Sequence, residues 1–384
     1  MSTRSSPRSP SGTSLPARVR SAGFILLAAI AILLLAGRAA VTVRDADIND
    51  FRCFYEAGRL VRSGLDPYDR ATWAAAVYTD PGRVPHCART FVYPMPTAMA
   101  MAPISLLPEP VALAAWEAVL LASVLAGMAL VGRAWPGVDP RRLVLVALWS
   151  QPMYSAIANT QFGPVIFLAL AALAYAAAQG RRGLWLASWT AMLVKPHITF
   201  LVLATTPFLR RTGSFVAAVI VAVAVAATSL VLSQRWPLEY VNELFGQELA
   251  QDAGLGTLWT AAADLGLPAL VGGLLAIAAA VLFVASIPRP IRPPQTLVAV
   301  LVAASFLVTP YARPHDFIAL APCWAATLAA SRGSLFGGVI AVGLILPWAI
   351  TALTVAGLPP SSHVLVPLAT AGLLALALRR EASG

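Results

Sequence analysis

The sequence predicts an all-α fold that crosses a membrane many times, and three observations support this. Of its 384 residues, 59% are hydrophobic and 11% charged, against roughly 25% charged in a soluble domain. The apolar residues gather into about a dozen runs, many near the ~20 residues that span a bilayer. Short basic clips separate the runs, as the cytoplasmic loops of a multi-span protein require. The net charge of +10 is therefore not a nucleic-acid signal, because the arginines flank spans and do not share one face.

Residues 1–20 read as a disordered basic tail in the cytoplasm, carrying Arg4, Arg8, Arg18 and Arg20. Residues 21–380 read as a single transmembrane domain. The first apolar run, Ala22–Ala36, resembles a signal peptide. It continues through Gly37 to Ala40 without a turn, so an uncleaved anchor crossing outward is expected. Residues 43–109 then form a large first extracytoplasmic loop. Within it, Phe91–Leu107 is apolar but interrupted by Pro94, Pro96 and Pro103, which suits helices lying at the interface. Further spans are expected near 110–132, 143–157, 162–179, 184–194, 196–209, 214–233, 267–286, 295–309, 316–330, 334–351 and 362–378. With the first they make about twelve, with both termini cytoplasmic and the chain in the cell membrane. The pair 184–209 is short for two crossings and reads as a hairpin dipping in from the cytoplasm, with Lys195 at its turn. No period of about 20–50 residues repeats, which leaves out solenoids and propellers.

Charge is concentrated in the first loop. Asp45, Asp47, Asp50, Glu56, Asp66, Asp69 and Asp80 stand there among arginines, out of 17 acidic residues in all. Asp50 opens the segment Asp50-Phe51-Arg52-Cys53-Phe54-Tyr55, whose aromatics at 51, 54 and 55 share a helical face. That face is expected to rest on the membrane surface and hold Asp50 over a cavity. Asp50 also suits a plain helix cap, and the whole loop also suits a solvated surface of weak ion pairs. Asp66-Pro67-Tyr68 reads as a turn. Cys53 and Cys87 share the loop and would form a disulfide in an oxidising compartment; Cys323 reads as a small buried residue of a span.

The same register throws further polar turns to the outer face. They are Gln151-Pro152 with Asn159-Thr160-Gln161, then Lys195-Pro196-His197, then Pro310 to Asp316. The loop 233–266 adds Glu239, Glu243, Glu248, Asp252 and Asp264. Lys195 is the one lysine among 27 basic residues and so reads as a chemical choice. Such a set suits group transfer from a lipid-linked phosphate. Asp50 would deprotonate an attacking hydroxyl. Lys195, Arg313 and Tyr55 would hold the phosphate, with His315 beside it. Asp47, Tyr93, Gln151, Asn159, Gln161 and Tyr311 would line the cavity. His315 and Asp316 are adjacent and so do not face each other on a helix; Asp316 reads as a cap, and His197 as an interface residue. Four histidines without paired spacing give no zinc site. No cofactor is expected; Mg²⁺ or Mn²⁺, if used, would sit at Asp45, Asp47 and Asp50.

These residues carry a resemblance. The segments DFRCFYEAGRLVRSGLDPY, FVYP followed by ISLLP, QP with NTQ, LVKPHITFLV and TPYARPHDFIALAP resemble glycosyltransferase family 87, of the GT-C fold. They run in family order from about Asp45 to Pro322, and Tyr-Pro-Met-Pro stands where a double proline is usual. The resemblance implies a transferase using a polyprenyl-phosphate sugar, typically mannose, by inverting displacement on the extracytoplasmic face. Its partners would be that donor, a glycolipid or polysaccharide acceptor and membrane lipid, with no nucleic acid. It maps the base onto Asp50, the late histidine onto His315 and a lysine before proline onto Lys195. An arabinofuranosyl donor is the alternative within the enzyme class. A lipid or solute transporter is the alternative outside it, and Glu117, acidic within span 110–132, is the residue on which to test it.

Overall fold

A computed structural model describes residues 17–44, 49–78, 87, 90–207, 212–245, 255–291 and 293–383. Among them every regular element is helical. Residues 1–16 of the predicted tail, together with Asp45, Asp47, Glu248 and Asp252, lie outside the described residues.

Six helices are long and apolar enough to cross a membrane: Ser21–Arg44, Glu109–Ala134, Ser214–Leu232, Ala269–Ser286, Phe336–Val355 and Pro360–Ser383. Their flanks are unusually greasy for a protein surface: Ile220, Val231, Leu270, Leu282 and Val355 are all exposed. Such a surface is stable against lipid, where apolar side chains need no covering. The chain is a helical membrane protein.

The remaining predicted spans are shorter or interrupted, for local reasons. Those near 162–179 and 295–309 form the helices Gly163–Gln179 and Pro294–Val308. The span near 143–157 breaks into Pro140–Trp149 and Gln151–Ala158, because Ser150 turns extended and caps the second piece, accepting from the Met153 N–H at 3.3 Å. The segment 184–209 is not one straight helix. Arg182–Ala191 gives way to two 3₁₀ turns flanking Lys195, whose backbone leaves the helical region, as a residue before proline must. The chain then folds back, and the Trp189 indole donates to the Leu203 carbonyl at 3.1 Å. Pro314–Leu320 is likewise a 3₁₀ segment leading into Ala321–Ala330.

Of these pieces, Gly163–Gln179, Pro294–Val308 and Pro314–Leu320 are largely buried, whereas Ser214–Leu232 and Ala269–Ser286 are largely exposed. Gly163, at the start of its helix, lies so close to the chain at His315 that a Cβ there would collide with the His315 carbonyl. The first-loop helix Phe51–Arg62 packs on Met95–Met101, where Gly58 lets the backbones approach: a Cβ would stand 2.7 Å from the Met101 carbonyl. Phe51 and Phe54 are fully buried. The expected resting of their face on the membrane surface is thus corrected. Phe54 instead packs edge-on against Tyr93 and Phe162, with ring centroids at 4.8 and 4.9 Å, so the apolar face of the helix is buried in protein.

Candidate active site

The first-loop helix begins at Asp50, but its first turn is satisfied by a neighbour. Asn49 Oδ1 accepts from the Phe51 N–H at 2.9 Å, and the Asp50 side chain makes no capping bond. Its carboxylate is turned instead toward Gln161, whose Nε2 donates to Asp50 Oδ2. The cap reading of Asp50 is thereby replaced by a tertiary contact 111 residues long in sequence.

Gln161 is presented by a strained turn. Thr160 has φ 56, the left-handed region that a β-branched residue rarely enters. Surrounding bonds hold it there: the Trp116 indole donates to the Thr160 carbonyl at 2.8 Å, and the Gln161 N–H donates to the Ala156 carbonyl at 2.9 Å. Non-glycine residues in this region persist where the surroundings over-determine them, often at functional sites. The Gln161 side chain is wholly buried and uses both ends. Nε2 also reaches the Tyr93 hydroxyl at 3.2 Å, while Oε1 accepts from Lys195 Nζ at 3.5 Å and from the Tyr93 hydroxyl at 3.3 Å. Burial, and then the charge of Asp50, push the Tyr93 phenol well above its usual range, so it stays protonated and able to donate.

Beyond the amide lies a buried ion pair. Lys195 Nζ stands 2.5 Å from Asp316 Oδ1, with the side chains 1% and 0% exposed. The other Asp316 oxygen accepts from the Arg313 N–H at 3.1 Å. Asp316 therefore closes the turn as expected and also neutralises the lysine, a role not read from the sequence. His315 and Asp316 approach after all, Nε2 lying 3.8 Å from Oδ1. His315 Nε2 is buried without a hydrogen-bond partner among the described residues. Burial, opposed by Asp316 and reinforced by Lys195 and Arg313, pushes its pKa down to about 3. It is a neutral imidazole at pH 7.

Around this core, the Arg313 Nε donates to the Tyr311 hydroxyl at 3.0 Å, and the Tyr311 ring meets His197 edge-on at 5.3 Å. His197 Nδ1 lies 3.0 Å from the Tyr240 hydroxyl. It is buried in the protein, not an interface residue, and Tyr240 is a neighbour that the sequence did not suggest. Asp50, Tyr93, Gln161, Lys195, Tyr311, Arg313 and His315 thus share one connected neighbourhood. Three predicted residues stand apart from this network. Tyr55 donates to the Leu107 carbonyl at 2.9 Å; burial, and then the charges of Glu56 and Glu109, raise its pKa, opposed by Arg59 and Arg62. Asn159 turns back to the Ser155 carbonyl at 2.8 Å. Gln151 is buried with Oε1 unpartnered among the described residues. Asp47 lies outside the described residues. Cys53 and Cys87 are joined in a disulfide across a sequence separation of 34. Among the described residues, no three His, Cys, Asp or Glu side chains gather to hold a metal.

A carboxylate, a bridging amide and a buried amine thus lie together by the first-loop helix of a membrane protein, an arrangement that suits group transfer. The model of glycosyltransferase family 87 matches residues 91–310, more than half of the chain, and the chain belongs to that family. It is a glycosyltransferase. The matched region holds Tyr93, Gln161 and Lys195, while Asp50 and His315 fall on either side of it. No curated protein matches the chain.

Proposed function

We propose that the chain transfers a sugar, mannose in first place, from a polyprenyl-phosphate donor to an extracytoplasmic glycolipid or polysaccharide, with inversion. The observation that carries this reading is Gln161, which touches the Asp50 carboxylate with one end and Lys195 with the other. A base and a cation are thereby held on either side of one amide. The reaction needs both, a base at the attacking hydroxyl and a cation at the departing phosphate.

Asp50 takes the proton from the acceptor hydroxyl as its oxygen attacks the anomeric carbon. The bond from that carbon to the phosphate oxygen breaks, and the electron pair leaves with polyprenyl phosphate. Lys195 has three N–H donors, two of which are engaged by Asp316 and Gln161. The third meets a phosphate oxygen once the closed site opens to admit the donor, with the Arg313 guanidinium and a neutral His315 donor beside it. The pairing of Lys195 with Asp316 keeps the amine fixed before substrate arrives, which is the preorganisation such stabilisation requires. The extracytoplasmic placement of the site, with cytoplasmic termini in the cell membrane, is supported by the Cys53–Cys87 disulfide, which persists in oxidising compartments.

The test supplies membranes carrying the full chain with radiolabelled polyprenyl-phosphate mannose, and compares wild type with Asp50→Asn. Label should reach an acceptor with wild type alone. Equal transfer by both would remove Asp50 as base, and transfer only from an arabinofuranosyl donor would change the sugar.

A further inference from the structure

A cavity of about 570 Å³ opens between the Asp66–Arg70 turn and the residues that follow the span Ser214–Leu232. Its walls are largely polar, although Val231 and Leu232 also line it. The walls carry Asp66, Asp69, Arg70, Ser233, Arg235 and Glu239. Three carboxylates outnumber the two arginines, which disfavours an anion, and a hydrocarbon chain would strand all these charges without water. The remaining chemistry that needs acceptors and donors side by side is a polyol, whose hydroxyls do both.

The groove is built rather than incidental. Asp66 Oδ1 accepts from the Tyr68 N–H at 2.9 Å, and Asp69 Oδ1 from the Thr72 N–H at 2.8 Å, so the turn holds both carboxylates in place. The hydrogen bonds from Thr72, with a smaller contribution from Arg235, lower the Asp69 pKa. Ser233, 3% exposed, lines the groove, and its Oγ is buried without a hydrogen-bond partner among the described residues. Unsatisfied buried hydroxyls are rare, and a ligand is one way to satisfy them. The groove also adjoins the reaction centre. Tyr68 stands in its wall, and the Tyr68 hydroxyl donates to the Tyr93 carbonyl. The hydroxyl of Tyr93 in turn meets Gln161, and Gln161 meets Asp50.

We propose that this groove binds the sugar portion of the acceptor, with Asp66, Ser233, Arg235 and Glu239 hydrogen-bonding its hydroxyls, so that the attacking hydroxyl is delivered past Tyr68 toward Asp50. The proposal rests on the transferase reading above, and its test separates the two. Full-length protein in lipid nanodiscs is titrated with mannotriose by calorimetry, for wild type, Asp50→Asn, Arg235→Ala and Glu239→Gln. The same proteins are assayed for transfer with the acceptor concentration varied. Wild type and Asp50→Asn should bind mannotriose, and each groove variant should bind it roughly tenfold more weakly, about the worth of one charged hydrogen bond. In transfer, the groove variants should raise the acceptor KM by a similar factor with kcat and donor KM unchanged. Groove-dependent binding without transfer from any donor would sustain the groove and sink the donor assignment. Transfer by wild type with acceptor KM unaltered in both groove variants would overturn the groove and leave the transferase reading standing. Mannotriose binding equal in all four proteins, or absent from wild type, would also overturn it.

Discussion

Two carboxylates buried among these helices meet opposite fates. Asp316 lies 2.5 Å from Lys195 and also accepts from the Arg313 N–H. Glu117, 3% exposed in the helix Glu109–Ala134, has both oxygens buried without a hydrogen bond among the described residues. The first is part of a network that reaches Asp50 through one amide. The second makes no hydrogen bond among the described residues and feels only the charge of Arg38, without bonding to it. An acid inside a membrane protein is a functional candidate by default, and what separates these two is the presence of hydrogen-bond partners, not depth.

Lys195→Met should break the comparison most severely. Removing one partner of a buried pair leaves the other charged and unpaired, at a cost of about 3–5 kcal/mol. Melting in detergent should show a large fall, and Asp316→Leu added to it should restore much of the loss without restoring transfer. Asp50→Asn should leave melting unchanged, since its carbonyl oxygen still accepts from Gln161, while transfer falls by about 10²–10⁴. A parallel loss of stability would make Asp50 a structural acid like Asp316.

His315→Ala should raise the donor KM about tenfold, the worth of one hydrogen bond to a charged group; unchanged donor kinetics would remove the imidazole from the site. The same residue predicts a pH dependence. Its folded pKa is lowered from 6.5 to about 3, so the unfolded chain binds the proton first. Stability from this group is complete above about pH 6.5 and is lost as pH falls toward 3. Acid titration of melting should therefore be shallower in His315→Ala than in wild type.

The smallest effect belongs to Glu117→Gln. No hydrogen bond is lost, so melting should move by less than about 1 kcal/mol and transfer should persist. A folded variant without transfer would show that the Glu117 carboxylate takes part in the reaction after all.

The long spans were legible because hydropathy over twenty residues is a local property, and Ser21–Arg44 or Ala269–Ser286 needs no partner to be recognised. The broken ones were not, since Ser150 and the Lys195-Pro196 step change the backbone without changing the apolar count. At the site, Asp50, Lys195 and His315 stood out by residue type. Their contacts did not: Lys195 finds Asp316 across 121 residues, and no spacing rule spans that distance. Tyr55 misled because helical spacing says which face a side chain leaves from, not where its hydroxyl ends, and Leu107 claims it. The disulfide was readable because both cysteines lie in one loop.

Because Lys195 is the one lysine of the chain and its amine is shut away, amine-selective reagents have a single side chain to find, and only when the protein opens. The rate at which that residue becomes labelled is a clock for the site itself. It runs without any engineered probe, and a donor that occupies the site should slow it.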